Sequence, residues 1–170
     1  MGTLPVDNDF LRLIQQNSGI IYKICHTYCR NPADRDDLAQ EIIYQLWKSG
    51  KSYDTTYRFT TWMYRVALNV AISFSRSHGR LLPSISLLED NIDVEDIPDI
   101  TAGIQEENLR LLRQYILELK ELDRALVLLY LENKSYAEIA DITGLSETNV
   151  ATKLNRIKDK LKQKFSTIKK

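Results

Sequence analysis

The run Ser135-Tyr-Ala-Glu-Ile-Ala-Asp-Ile-Thr-Gly-Leu-Ser-Glu-Thr-Asn-Val150, continuing into Ala-Thr-Lys-Leu154, leaves its backbone little choice. Ser135 and Glu138 have capping-box spacing, which starts a helix at Tyr136. Gly144 supplies the positive φ of a sharp turn, and Ala140 is small where two helices would cross. Ser146 caps a second helix, with Leu145 before it and Val150 four positions into it, the arrangement of a hydrophobic staple. Helix, tight turn and helix make a helix-turn-helix, a shape that presents one exposed helix to the major groove of duplex DNA.

At the helical period Val150, Leu154, Ile157 and Leu161 fall on one inward stripe of the second helix. Thr148, Asn149, Thr152, Asn155 and Arg156 gather on the opposite side, with Lys153 at the margin. That face has no carboxylate before Asp159 and carries side chains that read bases and grip phosphates. The plainer reading is an amphipathic helix with a solvated face. A formal net charge of zero argues against a nucleic-acid binder until the charges are placed. Residues 81–109 hold eight carboxylates and no Lys or Arg, while residues 153–170 hold eight basic groups and one acid. Phosphates respond to local potential, not to the sum.

The coarse pattern is all-α. Phe10 to Cys29 has helical spacing, Pro32 opens a second helix running to about Lys48, and a third spans about Thr60 to Ser77. Residues 79–107, with two prolines, eight acids and no Lys or Arg beyond Arg80, read as a partly extended linker. Helices at about Asn108–Lys120 and Asp123–Glu132 then lead into the helix-turn-helix. The expectation is two small helical domains, 1–78 and 108–170, on an acidic tether. No apolar run is long enough for a membrane span and the N-terminus lacks a signal-peptide pattern, so the expected compartment is the cytoplasm. Cys25 and Cys29 lie one turn apart, but His26 projects elsewhere and no second ligand pair exists. Buried reduced thiols are expected, without a metal.

Two N-terminal helices carry polar features. Around Leu38, Ile42, Ile43 and Leu46, with Trp47 at the far edge, the second helix is apolar; its other arc collects Asp37, Gln40, Glu41, Tyr44 and Lys48. The third is apolar almost all round except for a stripe of Arg65, Asn69 and Arg76, with Ser73 beside it. Tyr53, Tyr57, Phe59, Trp62, Tyr64 and Phe74 crowd nearby, and cations with aromatics can stack single-stranded bases. Trp62, in phase with Val66 and Val70, reads as core.

Together, Asp36-Asp37-Leu38-Ala39-Gln40-Glu41, Phe59-Thr-Thr-Trp62 through Asn69, and Leu122-Asp-Arg-Ala-Leu-Val through Ser135-Tyr-Ala-Glu-Ile-Ala140 resemble, in order over nearly the whole chain, an extracytoplasmic-function sigma factor of the sigma-70 family. The resemblance implies a dissociable bacterial RNA polymerase subunit that binds the −35 element as duplex and melts the −10 element. It implies that Asp37, Gln40 and Glu41 dock on the core polymerase and that Arg65, Asn69 and Arg76 meet the melted downstream element. It also implies that Thr148, Asn149, Thr152, Lys153 and Arg156 read the upstream element, and that an anti-sigma factor is a partner. Two positions depart from the family pattern: Ser73 replaces a frequent acid, and Lys120-Glu-Leu122 lacks a frequent proline.

No phosphate-binding glycine loop, activated nucleophile or metal cluster is visible, so neither an enzyme nor a cofactor is expected. The rival is an ordinary helix-turn-helix regulator with an N-terminal sensing or dimerisation domain. It explains the C-terminal half but not the Arg65/Asn69 stripe. A purely structural helical protein, the other rival, predicts no salt-dependent DNA binding.

Overall fold

The computed structural model describes residues 8–78 and 106–168, and every regular element among them is helical. In order these are α1 (Asn8–Gln16), α2 (Ser18–Tyr28), α3 (Pro32–Ser49), a 3₁₀ turn at Gly50–Ser52, α4 (Phe59–His78), α5 (Glu106–Glu118), α6 (Glu121–Leu131), α7 (Tyr136–Thr143) and α8 (Glu147–Ile168). The expected linker lies outside the described residues, except that Glu106 and Glu107 already belong to α5.

What reads as one helix from Phe10 to Cys29 is two. Asn17 interrupts it: its side-chain amide donates to the Leu13 carbonyl at 2.9 Å, closing α1, and α2 starts afresh. Asn31 caps α3 by accepting from the Asp34 amide at 2.8 Å, with Pro32 in the first turn. Arg35 reaches back to the carbonyls of Cys29 and Arg30, acceptors left over at the end of α2.

Leu38, Ile42 and Leu46 of α3 and Met63, Ala67 and Ala71 of α4 are fully enclosed with Ile24 of α2. Phe10 packs edge-on against Phe59 and Trp62, with ring centroids 5.9 and 5.7 Å away. Tyr53 completes the cluster, 5.6 Å from Phe59 and 5.2 Å from Trp62. Gly50 backs onto the Phe10 ring so closely that a Cβ there would lie 2.8 Å from ring carbons.

The C-terminal helices are tied by long side chains. Arg124 donates to the carbonyls of Leu119 and Leu117, holding the end of α5 on α6. Tyr115 donates its hydroxyl to the Ile157 carbonyl, and Lys164 pairs with Glu118 at 2.6 Å, so α5 is also fastened to α8.

The tethered pair expected from sequence is packed face to face. Helices α2 and α4 meet α6 and α7, and one apolar cluster runs through both units. The Tyr28 hydroxyl donates to the Glu121 carbonyl at 2.6 Å, under the Arg124 guanidinium. Lys23 pairs with Glu132 at 2.6 Å, and Lys134 sits over the Tyr64 ring.

Cys25 and Cys29 are free and buried, as expected. Burial pushes the Cys25 thiol up to about 11 and the Cys29 thiol to about 12, from an ordinary 9.0. Burial also raises the Tyr64 phenol to about 12 from 10.0 and lifts Tyr28 further. The unfolded chain releases these protons at lower pH than the folded one. Their contribution is therefore intact below pH 9.0 and is lost as pH climbs through 11 to 12. Urea unfolding midpoints are expected to hold to pH 9 and fall steeply above it, with both thiols unreactive to alkylation at pH 8 until the chain unfolds.

Candidate nucleic-acid and protein interfaces

The helix-turn-helix forms by local chemistry alone. Ser135 Oγ accepts from the Glu138 amide at 3.1 Å while Glu138 accepts from the Ser135 amide at 2.8 Å. The Ser135 N–H is also the main reason the Glu138 carboxyl is held below its ordinary range. Gly144 takes φ 78° and donates to the Ala140 carbonyl, ending α7 in a left-handed cap. Ser146 Oγ accepts from the Asn149 amide, starting α8. Val150, Leu154 and Ile157 are buried and Leu161 half-buried, so the opposite face is committed to solvent. Thr148, Asn149, Thr152, Asn155 and Arg156 are exposed on it, and Lys153 is half-buried at its edge. No acid interrupts this side through Arg156. Amide, hydroxyl and guanidinium groups there suit the edges of paired bases and their phosphates.

On α4, Arg65, Asn69, Ser73 and Arg76 are all exposed, along roughly 16 Å of helix. At its upper end the stripe meets an open hollow of about 260 Å³ lined by Ser52, Asp54, Tyr57, Thr61, Trp62 and Arg65. The Arg65 guanidinium lies 5.8 Å over the Tyr57 ring, and Tyr53 donates to the Tyr57 carbonyl, fixing the far wall. Asp54 accepts from the Thr56 amide at 3.0 Å, which holds its carboxyl below the ordinary range and hence ionised. Aromatic faces, a carboxylate acceptor and a guanidinium donor around one opening can stack an unpaired base and hydrogen-bond its edge. Trp62, read as core, does both jobs: it belongs to the Phe10 cluster and its free part lines the hollow. Tyr57 belongs to the aromatic group read from sequence, whereas Asp54 does not stand out there, because it lies in an irregular segment with no period to read.

The outer face of α3 departs more from expectation. Asp37, Gln40, Glu41 and Tyr44, the last at 52%, are exposed as expected, but Ile43 at 44% and Trp47 at 50% are exposed beside them. Ile43 belongs to the apolar arc read from sequence and Trp47 to its far edge, yet both face outward. The core side of α3 is only Leu38, Ile42 and Leu46 wide, so residues one step off that line face outward. Lys48 lies 5.9 Å over the Tyr44 ring, and Gln45 donates to Glu41. Apolar and aromatic groups rimmed by carboxylate and amide have the anatomy of a protein-binding surface.

The three faces lie on different helices. The α4 stripe touches the helix-turn-helix at its first helix, where an Arg65 Nη donates to the Asp141 carbonyl of α7.

Comparison with known proteins agrees with this layout. Residues 13–81 match the family profile of Sigma-70 region 2, and residues 109–161 match that of Sigma-70, region 4, which together take in most of the chain. Over 160 residues it is 26% identical to the ECF RNA polymerase sigma factor SigW of Bacillus subtilis, covering 85% of this chain and 82% of that protein. To the ECF RNA polymerase sigma-E factor of Escherichia coli it is 29% identical over 147 residues, 79% of this chain and 75% of that one. In fold it is similar to the sigma factor RpoE solved in complex with the anti-sigma factor NepR from Bartonella quintana. That likeness has a TM-score of 0.68 at 17% identity, over 92% of this chain and 96% of that one.

Proposed function

This chain belongs to the extracytoplasmic-function group of the sigma-70 family, and from that premise we propose which of its surfaces meets core polymerase and which meets DNA. A sigma factor directs RNA polymerase to promoters, and it is a non-enzymatic initiation factor. The bonds made during transcription are the polymerase's, so this chain has no catalytic residues of its own. A partner of RNA polymerase acts where the polymerase is, so the compartment we propose is the cytoplasm. Among the described residues no helix is long and apolar enough to cross a membrane.

The α3 face of Asp37, Gln40 and Glu41, with Ile43, Tyr44 and Trp47 among them, docks on core polymerase. Arg65, Asn69 and Arg76 receive the downstream element as it melts, and an unpaired base enters the hollow between Tyr57 and Trp62. Thr148, Asn149, Thr152, Lys153 and Arg156 read the upstream element as duplex. The observation that carries this reading is that one chain holds both an aromatic hollow suited to an unpaired base and a capped helix suited to the major groove. An ordinary helix-turn-helix regulator has use for the second only. Because the Bartonella quintana RpoE was solved with an anti-sigma factor, a protein inhibitor is the expected regulatory partner here too.

Run-off transcription from a genomic library with purified core polymerase tests the assignment and yields the promoter sequence. A chain that binds DNA yet neither binds core nor supports transcripts would be a regulator instead. Arg156→Ala is expected to weaken upstream-element binding by about 1–3 kcal/mol if the guanidinium contacts a base. Unchanged protection in a footprint would remove Arg156 from the reading face. Asn69→Ala should leave closed-complex formation intact and slow strand opening. Normal permanganate reactivity of promoter thymines would count against that role.

A further inference from the structure

We propose that the far half of α8 is a phosphate clamp: Lys160 and Lys162 grip the sugar-phosphate backbones of the two DNA strands at one margin of the upstream element, one lysine on each side of the helix, without reading sequence. The inference rests on the assignment above of α8 to duplex DNA.

Five lysines follow Thr152 in the described part of α8, and the protein itself holds three of them. Lys158 lies 4.1 Å over the Tyr130 ring, Lys164 pairs with Glu118 at 2.6 Å, and Lys153 is half-buried at the edge of the reading face. Lys160 and Lys162 are exposed and make no ion pair or hydrogen bond with any described residue. The fold does not use them.

Their angular positions set them apart from an ordinary solvated charge run. At about 100° per residue, the reading residues Thr148, Asn149, Thr152, Asn155 and Arg156 centre on Thr152. Lys160 stands about 80° to one side of that line and Lys162 about 80° to the other. Lys158 and Lys164 are turned about 40° further, back toward Tyr130 of α6 and Glu118 of α5. A helix with its side chains is about 10–12 Å across and the major groove about 12 Å wide, so the centre line faces bases and the flanks face the two phosphate walls. The two lysines come about 6 and 9 Å beyond Arg156 along the axis. In a helix-turn-helix the first turns of the second helix meet base edges, so the flanks at that distance are level with the backbones as the helix leaves the groove. Asp159, near the centre line, ends the acid-free reading surface and leaves the cations on the flanks alone. Each lysine that neutralises a phosphate releases condensed counterions, which strengthens binding at low salt whatever the sequence.

The test uses the full chain bound to core polymerase, with a promoter fragment titrated at several potassium chloride concentrations. Both side chains are exposed on a helix and glutamine is a good helix former, so Lys160→Gln and Lys162→Gln keep the fold. Each is expected to reduce the slope of log K against log salt by about 0.9, and the double variant by about 1.8. Near about 0.1 M salt each should weaken binding roughly three- to tenfold, by the same factor on promoters carrying single base-pair changes in the upstream element. Arg156→Ala should instead change the ranking of those promoters. Replacing single phosphates by uncharged methylphosphonates locates the contacts: one position on each strand should weaken the unsubstituted chain and have no further effect on the matching glutamine variant. Lys164→Gln, whose lysine is engaged by Glu118, should keep the full slope. Unchanged slopes in the Lys160 and Lys162 variants would overturn the proposal. An equal loss in Lys164→Gln would overturn it too, because the effect would then be a diffuse field of the basic helix, and so would methylphosphonate effects confined to one strand. If the unsubstituted complex leaves no upstream footprint, the duplex-reading assignment fails and takes the clamp with it, whereas a normal footprint with unaltered slopes condemns only the clamp.

Discussion

Trp47→Ala weakens association with core polymerase by about 2–4 kcal/mol, on the order of 30- to 1,000-fold, and leaves the fold intact. Half of the Trp47 surface is already in solvent, while Leu38, Ile42 and Leu46 on the far side of α3 are fully enclosed. Truncating the indole therefore opens no cavity, and a thermal melt followed by circular dichroism should not move by more than a degree or two. The energy lies in what the partner covers. Large aromatic groups at the centre of an interface dominate affinity, and polar neighbours that exclude water around them contribute less. On the proposed docking face Glu41 and Asp37 form the polar rim, so Glu41→Ala is expected to act mainly on the association rate and to lose its effect in high salt. A titration of labelled chain with core that gives the same Kd for Trp47→Ala and the unsubstituted protein would move the docking surface elsewhere.

The helix-turn-helix was legible because each interaction that decides it spans four residues or fewer: Ser135 with Glu138, Gly144 with Ala140, Ser146 with Asn149. The polar faces of α4 and α8 followed from periodicity, which depends on local geometry in the same way. The break at Asn17 did not, since apolar spacing continues across it and only a side-chain amide closing on Leu13 marks the end of α1. Packing between the two units was invisible for a different reason. Lys23 and Glu132 are 109 positions apart, and Tyr28 and Glu121 are 93, so nothing local encodes their meeting. Ile43 and Trp47 show the remaining limit. Sequence says that a side chain is apolar, but whether its cover is the same chain or a partner depends on how wide the neighbouring helix surface is.

Phe10→Ala costs about 3–5 kcal/mol of stability and loosens the hollow as it does so. The ring is 1% exposed and is bounded by Phe59, Trp62 and the backbone at Gly50. Removing it forfeits both its transfer free energy and the contacts of everything that lined it, including the side of Trp62 that faces away from the hollow. Urea unfolding should show a lower midpoint at unchanged slope, and the folded variant should open promoters more slowly even where it remains fully native. Gly50→Ala attacks the same contact from the other side, because a Cβ at 2.8 Å from the Phe10 ring forces one of them to shift. Overpacking of that kind costs about 1–3 kcal/mol. The two defects have opposite signs in volume, so they should compensate: in the double variant the added methyl enters space the ring has left. A double-mutant cycle is expected to give a favourable coupling of about 0.5–3 kcal/mol. Strict additivity would mean that α1 does not hold the 50–58 segment in place through this contact, and that the walls of the hollow are set by α4 alone.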